Sequence, residues 1–416
     1  MTAILGEKTQ SSAPSCVLLL LIWALAAVAI LPALFHWPAR PQTALASLVV
    51  KYSARLVALA IGYFVYRSEL WRLPRRQALA FAFLVLLLTL VVSHIHRINV
   101  DQSSTYFDDQ SNTQWQISVQ NQVILLSDSE LPHSYRFLPN AIVRWMEFGG
   151  AGYNEGRDAY RLIFTVPLFW AIYCYARLYT GYKGAIIALL LVGIIFPISF
   201  EEYAGQLADP LSHLSFVLAF IFLATGQFWF LLTTLLLGSL AKETVLAMAA
   251  YYVLFHRKDR YYPAKAALLC GAAAAFYFGV RFAVLHGSMD YAHVSGVSSS
   301  QISANISDYH IWVPRVLLTA GSLFPFLALG WNTTPRVLRQ LTLFLAPTLF
   351  LSSFAFSWLS ETRNFMPLVF ILAVVAGRYF AGDCTSVGES ATIRCSNLNG
   401  ESEEGKWVPS SGCGSG

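Results

Sequence analysis

Apolar residues in this chain run on in stretches of about twenty, separated by short polar breaks, rather than alternating with polar ones at a strand or surface-helix period. About twenty residues of helix cross a hydrocarbon core of ~30 Å. Lipid offers the backbone no hydrogen-bond partners, so runs of this kind must be helices. The pattern predicts about twelve spans, at roughly 16–36, 45–66, 77–95, 159–179, 184–200, 210–226, 228–241, 243–256, 264–286, 311–331, 338–359 and 364–381. The seventh and eighth are short and need a thinned bilayer or a place inside the bundle. One broken or re-entrant helix is the alternative there. The first run is too long for the core of a signal peptide, carries only Lys8 against Glu7 before it, and reads as a retained helix. The expected fold class is all-α: a polytopic transmembrane bundle with two N-terminal helices in 1–66, a core in 67–382 and a polar tail in 383–416.

The longest polar interval, about 96–158, has structure of its own. Thr113 to Leu126 is a mixed amphipathic stretch, and FLPNAIVRWMEF, from Phe137 to Phe148, has apolar residues at helical spacing around Arg144 and Glu147. Both read as helices lying in the membrane interface. Pro132 and Pro139 punctuate this part of the loop. From about Gly382 the sequence turns to Ser, Gly and Glu, the composition of a loosely packed or disordered tail.

Composition sharpens the class. Hydrophobic residues make up 56% of the 416 and charged residues 12%, about half the share of a soluble domain. A fold so apolar could not cover itself with polar surface, which excludes a soluble protein. The net charge of +5 calls for no nucleic acid, because basic loops on the cytoplasmic side are enough to account for it. Arg67, Arg72, Arg75 and Arg76, then Arg177 and Lys183, then Arg257, Lys258, Arg260 and Lys265, then Arg336 and Arg339 occupy alternate loops. Twelve spans place them all on one side, the cytoplasm, together with both termini. The opposite face collects Asp101, Asp108, Asp109, Asp128, Glu130, Arg136, Arg144, Glu147, Asp158, Glu201, Glu202, Asp209, Lys242, Glu243, Asp290, Asp308, Glu361 and Arg363. Cys16, Cys174 and Cys270 sit in or beside apolar runs as small core residues, while Cys384, Cys395 and Cys413 lie in the tail. No Cys/His spacing reads as a metal site.

Several groups on the acidic face could carry chemistry. Asp108 and Asp109, in YFDDQSNTQW, are adjacent carboxylates that cannot both ionise freely if desolvated together, so one is a candidate base for an acceptor hydroxyl. A solvated acidic turn capping the next helix is the alternative. Lys242 and Glu243, in GSLAKETVLAMAA, are charges near membrane depth that need a partner or a cavity. They read either as a neutralising turn at the interface or as a cavity wall in which Lys242 offers a point charge to phosphate. Arg363, with Glu361 in SWLSETRNFMPLVF, presents a planar fork suited to phosphate, or anchors to headgroups. Tyr135–Arg136 and Asp209–Pro210 complete the set, the latter explained by helix initiation alone. Arg281 and Arg315, near helix ends, can snorkel. The N-x-S/T triplets at Asn305 and Asn332 fall on opposite sides of the membrane.

Taken together these motifs resemble the GT-C superfamily of integral-membrane glycosyltransferases, particularly its bacterial members. The resemblance covers roughly 77–381 and rests on order and sidedness: a long outer loop with an acidic motif and two interfacial helices, then YRFLPNAIVRW, ADPLSHLSF, AKETVLAMAA and ETRNFMPLVF. The acidic motif here is Asp-Asp, and its loop follows the third span. The resemblance implies transfer of a sugar from a polyprenyl-phosphate donor to a glycan, lipid or protein acceptor on the non-cytoplasmic side, with inversion. It implies Asp109 or Asp108 as base, Lys242, Arg363 and Arg136 as ligands of the leaving carrier phosphate, and Glu243, Glu361 and Asp209 in support. It implies a bacterial inner membrane, surrounding lipid as partner and no nucleic acid, and leaves open a divalent metal ion. The alternative from another class is a transporter or flippase for a lipid-linked sugar, which should show internal repeats and broken helices at matching positions.

Overall fold

The computed structural model describes residues 75–102, 109–124, 136–199, 207–284 and 299–382. The two expected N-terminal spans, Asp108, the end of the long loop that holds Tyr135, and the tail beyond 382 lie outside these residues. Of Asp109 the backbone is described but the side chain is not.

The described chain is helical throughout, with no strand among the described residues. In chain order the helices are α1 (Arg75–Gln102), α2 (Asp109–Ile124), α3 (Phe137–Phe148), α4 (Tyr153–Arg177), α5 (Tyr182–Ile198), α6 (Ala208–Thr225) and α7 (Phe228–Ser239). A 3₁₀ turn at Glu243–Leu246 leads into α8 (Ala247–Phe255), followed by α9 (Tyr262–Val284), α10 (Ser299–Ser307) and α11 (Tyr309–Leu318). A second 3₁₀ turn, Gly321–Leu323, opens α12 (Phe324–Leu329), then comes α13 (Arg336–Phe356), and a third, Thr362–Phe365, opens α14 (Met366–Ala381).

Local chemistry sets many of these ends. Glu155 accepts a hydrogen bond from the Gly152 N–H at 2.9 Å and so closes the start of α4. Gly226 and Gly382 end α6 and α14 at φ 69° and 71°, the left-handed conformation that glycine adopts without strain. Pro210 and Pro367 fall in the first turns of α6 and α14, where a missing N–H costs nothing.

Among the described residues five helices are long and apolar enough to cross a membrane: Tyr153–Arg177, Ala208–Thr225, Tyr262–Val280, Arg336–Phe356 and Thr362–Ala381. The pair α11 and α12, bent by 43° at its break, makes a sixth if read as one span. The protein is thus an α-helical membrane protein in its described part. Each of the ten apolar runs read from residue 77 onward falls on a helix or a helix pair. Fewer than ten are full-length spans, because α7 and α8 stop short on either side of Lys242, and α5 and the apolar part of α1 are also brief.

The core is built around α14, whose residues from Met366 to Arg378 are all buried. Its principal partner is α5, and the two meet through glycines: a Cβ at Gly377 would strike the carbonyl of Gly184, and one at Gly184 would lie 3.0 Å from the carbonyl of Gly377. Contact this close between backbones is the usual device for packing helices in lipid. Around this pair α4, α6 and α7 complete the bundle, while α9 hangs on its edge through α7 and α8, with only 11% of its apolar window buried. Cys270 lies on α9 and is exposed, which corrects the reading of it as a core residue.

Polar contacts mark two ends. At one, Arg378 donates to the carbonyls of Tyr179 and Thr333, joining the α4–α5 turn, the turn before α13 and the end of α14. At the other lie the starts of α4, α6 and α14 and the break between α7 and α8. Helices α2 and α3 pack on each other and on the start of α4, so the segment expected in the interface is covered on one face by protein. Asn305, which opens an N-x-S triplet, is 2% exposed. It donates to Phe354 and Ser357 and accepts from Leu359, a pin holding the end of α13.

Candidate functional site

Three helix starts converge at this second end, and each brings a charge. Asp209, in the first turn of α6, is 1% exposed. Its Oδ1 lies 3.4 Å from Lys242 Nζ, and its Oδ2 accepts from Arg363 Nη1 at 3.2 Å. Arg363 also donates from Nη2 to Glu361 Oε2 at 2.8 Å, with Nε 3.3 Å from the same oxygen. Lys242 donates to Asn364 Oδ1 at 2.6 Å, and Asn364 in turn reaches Ser357 and Glu361. Lys242, Asp209, Glu361 and Arg363 are all buried. Burial on this scale is tolerated only where each charge is paired and hydrogen-bonded.

The 3₁₀ turns explain how the sequence delivers these groups. In both AKETVL and SETRNF an apolar helix is opened by a short, tighter turn, and the charged residues sit on or just before it. A tight opening turn aims them across the bundle end instead of along the helix surface. Pro210 fixes the first turn of α6, so Asp209 faces the same point. His213, one turn on, lies 3.1 Å from the backbone carbonyl of Arg363. A carbonyl only accepts, so Nε2 carries the proton. The imidazole edges pack against Phe196 and Phe370.

Above the cluster sit the helices of the long loop. Leu138 N donates to Leu240 O at 3.2 Å, tying α3 to the turn that holds Lys242. Arg136, just before α3, lies 3.9 Å from Glu243. Val143 of α3 packs with Tyr153, Tyr160 and Leu207 around the start of α4. Tyr153 donates to Gln116 of α2 at 3.1 Å. The structure therefore gathers Lys242, Arg363, Arg136, Glu243, Glu361 and Asp209 at one bundle end, under α2 and α3. It does not show where the Asp109 carboxylate points, and Asp108 is outside the described residues.

Two features differ from the sequence reading. The fork of Arg363 is occupied by Asp209 and Glu361, so this side chain orders two carboxylates rather than standing open to a phosphate. Asp209 does not cap α6, whose N-cap is Leu207 with no side-chain cap; its carboxylate bridges the two cations instead. Four further residues have parts in this end that the sequence motifs do not single out: His213, Asn364, Arg157 and Arg161. The Asp209–His213 and Arg157–Arg161 spacings of four, each on an apolar helix, were the available signal. Among the described residues no group of three His, Cys, Asp or Glu is placed to hold a metal. No family model, no curated protein and no solved structure matches this chain.

Proposed function

We propose that this protein is a membrane glycosyltransferase of GT-C type, acting on a polyprenyl-phosphate sugar at the non-cytoplasmic face of a bacterial inner membrane. The observation that supports this reading is the buried network of Lys242, Asp209, Arg363 and Glu361, roofed by the loop helices that follow the acidic motif. Preorganised cations in a dry site stabilise charge that develops as a phosphate leaves, and they need no reorganisation at that moment.

In the proposed reaction an acceptor hydroxyl oxygen bonds to the anomeric carbon as the bond from that carbon to the carrier phosphate oxygen breaks. The hydroxyl proton passes to a carboxylate of the Asp108–Asp109 pair, and the carrier leaves as polyprenyl phosphate. Lys242 and Arg136 face the leaving phosphate. Arg363 holds Asp209 and Glu361 so that Lys242 stays charged and in place.

The test is transfer from a panel of radiolabelled polyprenyl-phosphate sugars by the full chain in nanodiscs, with membrane extract as acceptor source. Asp109→Asn or Asp108→Asn should cut product at least a hundredfold while leaving donor binding intact. Full activity in both and in the double variant would remove the pair from the mechanism. A second reading, a transporter of the same lipid-linked sugar, draws on the break at Lys242 and the 43° bend between α11 and α12. Movement of labelled donor across a vesicle bilayer without a new glycosidic bond would favour it.

A further inference from the structure

Arg157 lies one turn before Arg161 on α4, and both are buried, at 4% and 5% exposure. Nε and Nη1 of Arg157 are buried without a hydrogen-bond partner. Among the described residues, the carboxylate of the half-exposed Asp158 stands 3.7 Å from Nε. Among the described residues, the other carboxylates of this end have cationic partners of their own. Asp209 and Glu361 hold Arg363 and Lys242, Glu147 holds Arg144 at 2.8 Å, and Glu243 faces Arg136. Two buried guanidiniums, Arg157 and Arg161, thus lie one turn apart on α4, and two nitrogens of Arg157 have no hydrogen-bond partner.

A buried guanidinium with idle donors beside a second guanidinium is costly in the empty protein. Such an arrangement is expected where a bound anion completes it, because a guanidinium matches the paired oxygens of a phosphate. We propose that Arg157, backed by Arg161, forms a second anion subsite, for a phosphate-class group, between the start of α4 and the loop helices α2 and α3. The Tyr153 hydroxyl, one turn before Arg157, is hydrogen-bonded to Gln116 of α2, so this wall is closed by the loop that carries the acidic motif. At Gly156 α3 packs closely on α4: a Cβ there would sit 3.3 Å from the side chain of Val143. The site stands on its own geometry, but its assignment to a substrate rests on the transferase reading. Under that reading the substrates carry two anionic groups, the second being the distal phosphate of a diphosphate carrier or an acidic group on the acceptor.

Binding rather than turnover tests it. The full chain in phosphatidylcholine nanodiscs is titrated with inorganic phosphate, inorganic pyrophosphate, geranylgeranyl phosphate and geranylgeranyl diphosphate, with thermal midpoint and calorimetry as readouts. Wild type should gain midpoint with pyrophosphate. Arg157→Gln should bind it at least tenfold more weakly, and Arg157→Lys should fall between. Without anion, Arg157→Gln should melt no lower than wild type, since it removes an unsatisfied buried charge. A lower anion-free midpoint with an unchanged anion-dependent gain would mark Arg157 as structural and overturn the proposal, as would a wild type that binds none of the four probes. An Arg157-dependent preference for the diphosphate lipid over the monophosphate assigns the site to the carrier. Inorganic phosphate binding on top of saturating geranylgeranyl phosphate assigns it to the acceptor. Arg157-dependent binding in a protein that transfers no sugar would retain the subsite and discard the transferase. Sugar transfer with Arg157→Gln matching wild type in both assays would do the reverse.

Discussion

At the scale of single residues, Asp209 decides how the network behaves. Among the described residues it is the one carboxylate that touches both Lys242 and Arg363, and it has almost no access to solvent. Asp209→Asn takes the carboxylate partner from Lys242 and leaves Arg363 with Glu361, at a cost of about 3–5 kcal/mol, the range for breaking a buried pair from one side. The thermal midpoint in nanodiscs should fall sharply. Lys242→Met removes a cation that Asp209 can replace through Arg363 and should be milder. The double variant should be less destabilised than the two singles predict together, by about 1 kcal/mol or more. Strict additivity would mean that the two groups do not interact. Arg363→Lys should resemble Arg363→Ala in stability, because one ammonium cannot span Asp209 and Glu361 at once. The sequence made Lys242, Arg363, Glu361 and Asp209 visible as charges out of place in apolar surroundings. It could not show that they pair with each other, since the Asp209–Arg363 contact closes across 154 residues. For that reason Arg363 reads from sequence as an open phosphate ligand and in the fold as a clamp on carboxylates.

Elements were the most legible level, for a physical reason: in lipid a helix is the only solution for an apolar run, so length and hydropathy nearly determine it. The helix read at Phe137–Phe148 has those bounds in the structure, and the stretch read at Thr113 to Leu126 lies largely within Asp109–Ile124. Packing between elements was not legible, because it depends on which small residues face each other. The α5–α14 crossing depends on Gly184 and Gly377, whereas Gly271 on α9 has open space where its Cβ would go. Gly377→Ala should therefore destabilise by about 1–3 kcal/mol, the usual cost of overfilling a packed site. Gly271→Ala should leave stability unchanged or raise it by up to about 1 kcal/mol, since alanine is the better helix former. The two variants differ by the same methyl group, so a common effect on melting would mean that the crossing is not as close as described. The short α7 and α8 carry the same lesson. Their hydropathy reads as two spans, but Lys242 interrupts them because its partners lie on α6 and next to α14, not in water.

For the whole molecule, orientation is the property that links fold to function. The basic end, tied by Arg378 to Tyr179 and Thr333, and the network end, tied by Asp209 to Lys242 and Arg363, are opposite ends of the same bundle. The count of Lys and Arg in alternate loops predicts that the basic end lies in the cytoplasm. Single cysteines give a direct check, introduced after the native ones, including the exposed Cys270, are replaced by serine. Asn154→Cys, on an exposed position at the start of α4, should react with a membrane-impermeant maleimide in intact spheroplasts. Lys183→Cys and Lys258→Cys, exposed at the other end, should react only after the membrane is opened. The inverse pattern would put the charged network on the cytoplasmic side, where the proposed lipid-phosphate sugar chemistry on the outer face is impossible. Labelling of Asn154→Cys and Lys183→Cys from the same side would contradict the bundle itself, because α4 would no longer carry its two ends to opposite surfaces. The expected pattern places the site where an acceptor bound for the cell envelope would meet a carrier already turned outward.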